Sequence, residues 1–336
     1  MKVLIATAMY PTATNPAFGS FVRTQVESLK QAGLEVELLV LERQSRKLMY
    51  PKAVLQLRKR LADGSINLVH AHYSYVGMVA RTQWRVPVVV TYHGDDLLGT
   101  INEQGKKTRF SQLVVFAGQM LGKLADAAIV QSEEMAAKLK GANVHIVPHE
   151  IDFDLFKPVE KDLARKILGL DPRKRYLLFA ANPKIPVKRF PLAKEVADYL
   201  AESDPSIELL VVYREPQDRL ALYMSACDAL VFTSYQEGSP NIVKQAMACN
   251  LPIVATAVGD VRELIGKTRG CYICSPNVVD FAERLRELLR LGERTQGRQA
   301  VQHLSSAAVA KRVIQVYEEV LRKRPTRRNE QVGTLS

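Results

Sequence analysis

Eleven short runs rich in Val, Ile and Leu, mostly separated by segments of helix length, limit what this chain can fold into more than any other feature. Six lie in the first half, at Lys2 to Ala8, Val36 to Leu41, Leu68 to Ala71, Val86 to Thr91, Ala127 to Val130 and Val144 to Val147. Five follow, at Tyr176 to Ala181, Leu209 to Val212, Ala229 to Phe232, Ile253 to Thr256 and near Tyr272. Each run is apolar at successive positions, so both faces of the strand need cover, which a parallel sheet between helices provides. The spacing therefore predicts an α/β protein.

With 336 residues the chain exceeds what one hydrophobic core usually holds, and the pattern breaks once, after Pro148, into Asp152, Asp154, Lys157 and Pro158. The expectation is a Rossmann-like domain over residues 1–150, a second over 151–304, and a C-terminal helix over 305–336 that can cross back to the first domain and ends in a basic tail. The helical stripes Phe281, Leu285, Leu288, Leu289 and Val313, Val316, Tyr317, Val320, Leu321 read as core. Two doubly wound domains in tandem direct the carboxyl ends of both sheets at a shared cleft, where such folds bind ligands.

Lys and Arg number 47 against 35 acids, a formal charge of +12, which points to an anionic partner. The densest cluster is Arg43, Arg46, Lys47, Lys52, Arg58, Lys59 and Arg60, flanking Leu48, Met49 and Tyr50. It has two readings, a peripheral contact with an anionic membrane and a solvated charge run. Arg322 to Arg328 reads as a solvated tail. Nucleic acid is not an expected partner, because aromatic residues make up only 7% and do not interleave with a basic stripe. No apolar run approaches the roughly 20 residues that span a bilayer, and Met1 to Ile5 leads into Thr7 without a signal-peptide core, so the expected location is cytoplasmic. Cys271-Tyr-Ile-Cys274 has the spacing of a redox or zinc pair, but no second pair completes four ligands, and the alternative is two small residues at a strand.

The first βα loop, Tyr10 to Ser20, has no GxGxxG, and no GxxxxGK[ST] occurs in the chain. The informative stretch is Thr233 to Cys249, a strand end, a tight loop and a helix. Gly238 lets backbone approach a ligand and Pro240 suits the first helical turn, which together make an anion site.

Continued through Leu251 to Thr256 and Val258-Gly259-Asp260, that stretch resembles the retaining glycosyltransferases of family 4. The resemblance extends to Phe18-Gly19-Ser20-Phe21-Val22, His70-Ala71-His72, Thr91-Tyr92-His93-Gly94, Val147-Pro148, Asp152 to Pro158, Asn182-Pro183 and Val187-Lys188-Arg189-Phe190. It implies the two-domain GT-B fold and transfer of a sugar from a nucleoside-diphosphate sugar donor to a carbohydrate or lipid-linked acceptor, with no metal and no cofactor. Carried over residue by residue, it gives His93 and Glu237 as catalytic residues. The same carry-over gives Gly19, Ser20, Lys184, Lys188, Gly238, Ser239, Pro240, Asn241 and Gln245 as donor-binding residues. Asp95 and Asp96 fall within acceptor reach or cap the following segment.

Two departures stand out. Gln245 occupies the second position of the family's E-x7-E pair, turning one carboxylate acceptor into a donor. His149-Glu150 replaces Asn-Gly at the junction, removing a residue that readily takes positive φ. They motivate the alternative of a weakened pseudo-glycosyltransferase that binds nucleotide sugar or a partner subunit. A sugar epimerase of the same architecture is a further rival.

Overall fold

The computed structural model describes residues 1–41, 49–102 and 104–323. Arg43, Arg46 and Lys47 of the basic cluster, and the tail beyond Lys323, lie outside the described residues.

All eleven strands form, within one to three residues of the expected bounds in most cases. The first six are β1 (Lys2–Thr7), β2 (Glu35–Val40), β3 (Leu68–His72), β4 (Val88–Thr91), β5 (Ala127–Val130) and β6 (Val144–Ile146). They build one parallel sheet in the order β2-β1-β3-β4-β5-β6. The remaining five are β7 (Arg175–Phe179), β8 (Ile207–Val211), β9 (Ala229–Phe232), β10 (Ile253–Thr256) and β11 (Cys271–Cys274). Their order is β11-β10-β9-β7-β8, again parallel. In each sheet the first strand lies between the second and the third, so the order reverses there. That reversal opens the crevice at the carboxyl ends in which such sheets hold ligands.

Each sheet is covered on both faces. On the first, Ala53 and Leu57 of one helix, Val76 and Val79 of the next, and Leu121, Met135 and Leu139 pack on one side. On the other side lie Val22, Val26 and Leu29 together with Val309, Val313, Val316 and Tyr317. The helix Ser306–Lys323 therefore completes the first sheet's core although it follows the second sheet in sequence. The chain leaves the first unit at Glu150 and Ile151 and returns at Ser305 and Ser306, and these two crossings lie side by side. Ile151 N donates to Leu304 O at 2.8 Å, and Ser306 Oγ donates to the Ile151 carbonyl at 3.3 Å.

Cys271 packs into the core on one face of the second sheet and Cys274 into the core on the other. Strand alternation thus turns the two thiols away from each other, and they cannot serve as one ligand or redox pair. Burial pushes each thiol up to about 12. Among the described residues, no helix is long and apolar enough to cross a membrane.

Candidate active site

Residues that leave the carboxyl ends of five strands meet in one cleft enclosing about 260 Å³. From the first sheet come His93 after β4, Gln131 after β5 and His149 after β6, with Phe21 from the first helix. From the second come Ala180 and Ala181 after β7, Lys188, and Thr233 to Asn241 after β9.

Lys188 ends a short 3-10 turn whose Pro186 fixes its start. Its Nζ donates to Glu237 Oε1 at 2.5 Å, and Ser234 Oγ donates to the same oxygen at 2.9 Å. The loop that carries Glu237 is fixed from behind: Thr233 Oγ1 donates to the Lys188 and Arg189 carbonyls, and Tyr235 N donates to the Val187 carbonyl at 2.8 Å. Pro240 caps the helix Asn241–Ala248 and opens its first turn toward the cleft.

The two units touch at glycines. A Cβ on Gly94 would stand 3.7 Å from the Gly238 nitrogen, and one on Gly238 would stand 2.6 Å from the buried Met135 Sδ. A side chain at Gly238 would hold the cleft walls apart, whereas Gly94, with φ 110°, is needed for its backbone conformation rather than for space. Gln236 Nε2 also donates across the cleft to the Gly99 carbonyl at 2.9 Å.

A row of imidazoles runs from the cleft into the first unit. His149 Nε2 lies 3.1 Å from His93 Nδ1, and His93 Nε2 lies 3.2 Å from His72 Nδ1, with ring planes 9° and 18° apart. His70 follows against His72, its Nδ1 at 2.6 Å from the Tyr317 hydroxyl and its Nε2 at 2.7 Å from Thr91 Oγ1. Burial holds all four rings below the usual imidazole range, His72 at about 3. Each N···N contact therefore pairs one N–H with one bare nitrogen, so the N–H groups of the row point one way along it. Phe21 leans on both His93 and His149 with centroids 4.9 Å away.

Beneath the row, Asp96 accepts from the backbone N–H groups of His93 at 3.0 Å and Ser74 at 3.1 Å, and burial raises its carboxyl to about 7. Glu150 accepts from Ser28 Oγ at 2.6 Å, with its carboxyl also raised to about 7 by burial. Its backbone has no positive φ, so the departure from glycine at this position costs no strain. Lys244, 1% exposed, donates to the His149 carbonyl at 3.3 Å and to Asn241 Oδ1 at 3.1 Å, and burial lowers it to about 8.

Of the residues expected from sequence, His93, Lys188, Glu237, Gly238, Ser239, Pro240 and Asn241 line this cleft. Gly19 stands behind Phe21 at the start of the first helix, with φ 69°. A Cβ there would come within 2.4 Å of the Met9 carbonyl carbon, so glycine is required for the loop to close on itself. Ser20 is the first residue of that helix and is half-buried. Lys184 departs from the expectation: it is exposed in a separate surface groove with Pro183, Arg189 and Tyr235, because the turn at Pro183 to Pro186 carries it outward. Gln245 lies one helical turn below the cleft and donates from Nε2 to Gln217 Oε1 at 3.1 Å. Among the cleft residues not expected as site residues are Phe21, Gln131, His149 and Ser234. His149 directly follows Val147-Pro148 at a strand's carboxyl end, the same position that marks His93.

Two Rossmann-like domains that face each other across a cleft at both sheets' carboxyl ends define the GT-B architecture of glycosyltransferases. Residues 3–150 match the profile of the glycosyl transferase 4-like domain, and residues 183–291 match that of glycosyl transferases group 1. The chain belongs to the group 1 glycosyltransferases. It is 28% identical over 293 residues to a D-inositol 3-phosphate glycosyltransferase of Mycobacterium sp. (strain KMS), covering 76% of this chain and 66% of that one. The chain thus spans just under two thirds of the length of that curated relative. It is 25% identical over 348 residues to the putative teichuronic acid biosynthesis glycosyltransferase TuaC of Bacillus subtilis (strain 168), covering 85% of this chain and 88% of TuaC. Among solved structures, sucrose-phosphate synthase from Thermosynechococcus elongatus superposes with a TM-score of 0.77 at 20% identity, covering 96% of this chain and 100% of that one. Anabaena HepE in complex with UDP-glucose gives 0.68 at 16% identity, covering 95% and 100%.

Proposed function

We propose that this chain is a retaining, metal-independent glycosyltransferase that moves a sugar from a nucleoside-diphosphate sugar to a carbohydrate or lipid-linked acceptor, working at the inner face of a membrane. The observation that carries this reading is the convergence of Lys188, Glu237 and His93, from two domains, on one cleft. Residues 151–304 hold the donor and residues 1–150 present the acceptor.

The reaction breaks the bond between the anomeric carbon and the diphosphate oxygen, so negative charge grows on the leaving group. Lys188 and the free N–H groups at the start of the helix Asn241–Ala248 meet that charge. Glu237 faces the sugar and opposes positive charge at its anomeric carbon. The acceptor hydroxyl attacks from the face the diphosphate leaves, and the departing phosphate oxygen takes its proton. His93 contacts the sugar from the opposite wall, and His149 fixes the plane of its ring.

A panel of nucleoside-diphosphate sugars measured by calorimetry, then assayed for hydrolysis, tests this without knowledge of the acceptor. UDP-glucose belongs first in the panel, since HepE is solved with it. Binding of one donor with slow release of its sugar supports the reading, and absence of binding by every donor overturns it.

A further inference from the structure

The helix Arg109–Leu124 is packed the reverse of an ordinary surface helix. Its inner face is small: a Cβ on Gly118 would stand 2.6 Å from the Asp96 carbonyl oxygen, and one on Gly122 would stand 2.8 Å from Leu139. Its outer face is large and apolar. Phe110, Leu113, Phe116, Met120 and Leu124 are 72%, 68%, 62%, 42% and 50% exposed. At 100° per residue these five fall within an arc about 120° wide. The patch is on the order of 500 Å², near the upper end of what a soluble monomer exposes.

Its surroundings are cationic. From Gln104 to Ala125 the sequence has Lys106, Lys107, Arg109 and Lys123 and no acid. The helix Ser74–Ala80 touches both this helix and the helix Met49–Arg60, and all three pack on the same face of the first sheet. The helix Met49–Arg60 shows Lys52, Leu55 and Lys59 outward, Leu55 at 67% exposure. An apolar stripe bordered by lysines is the composition that lies in the interface of an anionic bilayer. A second copy of the chain fits less well: the stripe is smaller than the roughly 800 Å² per partner of a stable interface, and its lysine border would face lysines.

We infer that the outer face of the helix Arg109–Leu124 seats the protein on an anionic lipid surface through Phe110, Leu113, Phe116, Met120 and Leu124, with Lys106, Lys107 and Lys123 on the headgroups. This deepens the proposed function by naming the membrane contact, and it places that contact on described residues apart from the Arg43 to Arg60 cluster. The inner face of the same helix packs on the segment Asp95–Leu98, which directly follows His93 and Gly94, so the lipid-facing stripe belongs to the unit that carries His93.

The test is co-sedimentation of the full chain with vesicles of phosphatidylcholine alone and of phosphatidylcholine mixed with phosphatidylglycerol. The expected result is binding to the mixed vesicles, reduced at least tenfold by Phe110→Ser with Phe116→Ser and weakened by Lys106→Gln, Lys107→Gln and Lys123→Gln together. Both phenylalanines are exposed, so the fold should survive; circular dichroism checks this. If the double variant fails to fold, Phe116→Cys carrying an environment-sensitive dye reports insertion instead, since the chain's own four cysteines are buried. Absence of binding to mixed vesicles overturns the inference. So does binding that the double variant leaves unchanged, a dye that stays in water, or a dimer that the same variant dissolves. Calorimetry with nucleoside diphosphate on the same preparations keeps this separate from the donor site: loss of vesicle binding leaves donor binding intact, and failure of the donor reading leaves vesicle binding intact.

Discussion

His93 and His149, 56 residues apart in sequence, lie in nearly parallel planes, with 3.1 Å between Nδ1 of the first and Nε2 of the second. The contact fixes the His93 ring that faces the cleft, and under the proposed function it makes His149 a positioning residue. His149→Phe keeps an aromatic ring against Phe21 but removes the nitrogen partner, and His149→Ala removes both. Both variants should lower kcat about tenfold with little change in KM for the donor, the size expected for a lost hydrogen bond to an active group. Only the alanine variant should also lose about 2 kcal/mol or more of stability, measured by denaturant unfolding.

Lys188 and Glu237 form an ion pair. Under the proposed function, diphosphate and Glu237 compete for one ammonium group. Lys188→Ala should weaken nucleoside diphosphate binding at least tenfold in calorimetry, the effect of about 1.5 to 3 kcal/mol for a hydrogen bond to a charged group. Glu237→Gln should instead tighten it severalfold while abolishing sugar transfer. Equal weakening in both variants would refute the division of roles.

Gln245 holds Gln217 rather than a carboxylate's usual partners. Gln245→Glu is expected to raise donor affinity about tenfold through a charged contact to the ribose hydroxyls. Unchanged affinity in titration calorimetry would remove the residue from the donor site.

Burial of the histidine row also sets the acid response of stability. His70, His72, His93 and His149 titrate below their unfolded value in the native state, so unfolding below about pH 6.5 takes up protons on all four. Asp96 and Glu150, raised to about 7, act in the opposite sense and release protons on unfolding between about pH 4.5 and 7. Asp95 and Asp260, raised less by burial, act in the same sense as these carboxyls toward the acid end of the interval. The four rings still outweigh them between pH 6.5 and 5, and each net proton is worth about 1.4 kcal/mol per pH unit. Tm should therefore fall from pH 6.5 to pH 5, and Glu150→Gln should make the fall steeper. A Tm flat over that interval would contradict the buried, neutral row.

The sheets were legible because apolar runs such as Val88–Thr91 and Ile253–Thr256 can satisfy burial on two faces only in a parallel sheet. The loop from Thr233 to Asn241 was legible because its residues are contiguous. The histidine row was not: His72, His93 and His149 become neighbours only through the pairing of β3, β4, β5 and β6. Lys244 was missed for a related reason, since a lysine within a helix ordinarily faces water, and here tertiary packing encloses it. Lys184 shows the converse, a residue expected beside a motif from sequence and turned outward from the cleft between two prolines.

The paired crossings at Ile151 and Ser305 determine how the two halves can move. A lone tether permits both bending and twisting, whereas two hydrogen-bonded tethers side by side leave bending as the easy motion, as in a hinge with a long pin. Bending about that pin would part Gly94 from Gly238 and bring them back to the same contact, so the chain that joins the halves sets the register of the two cleft walls.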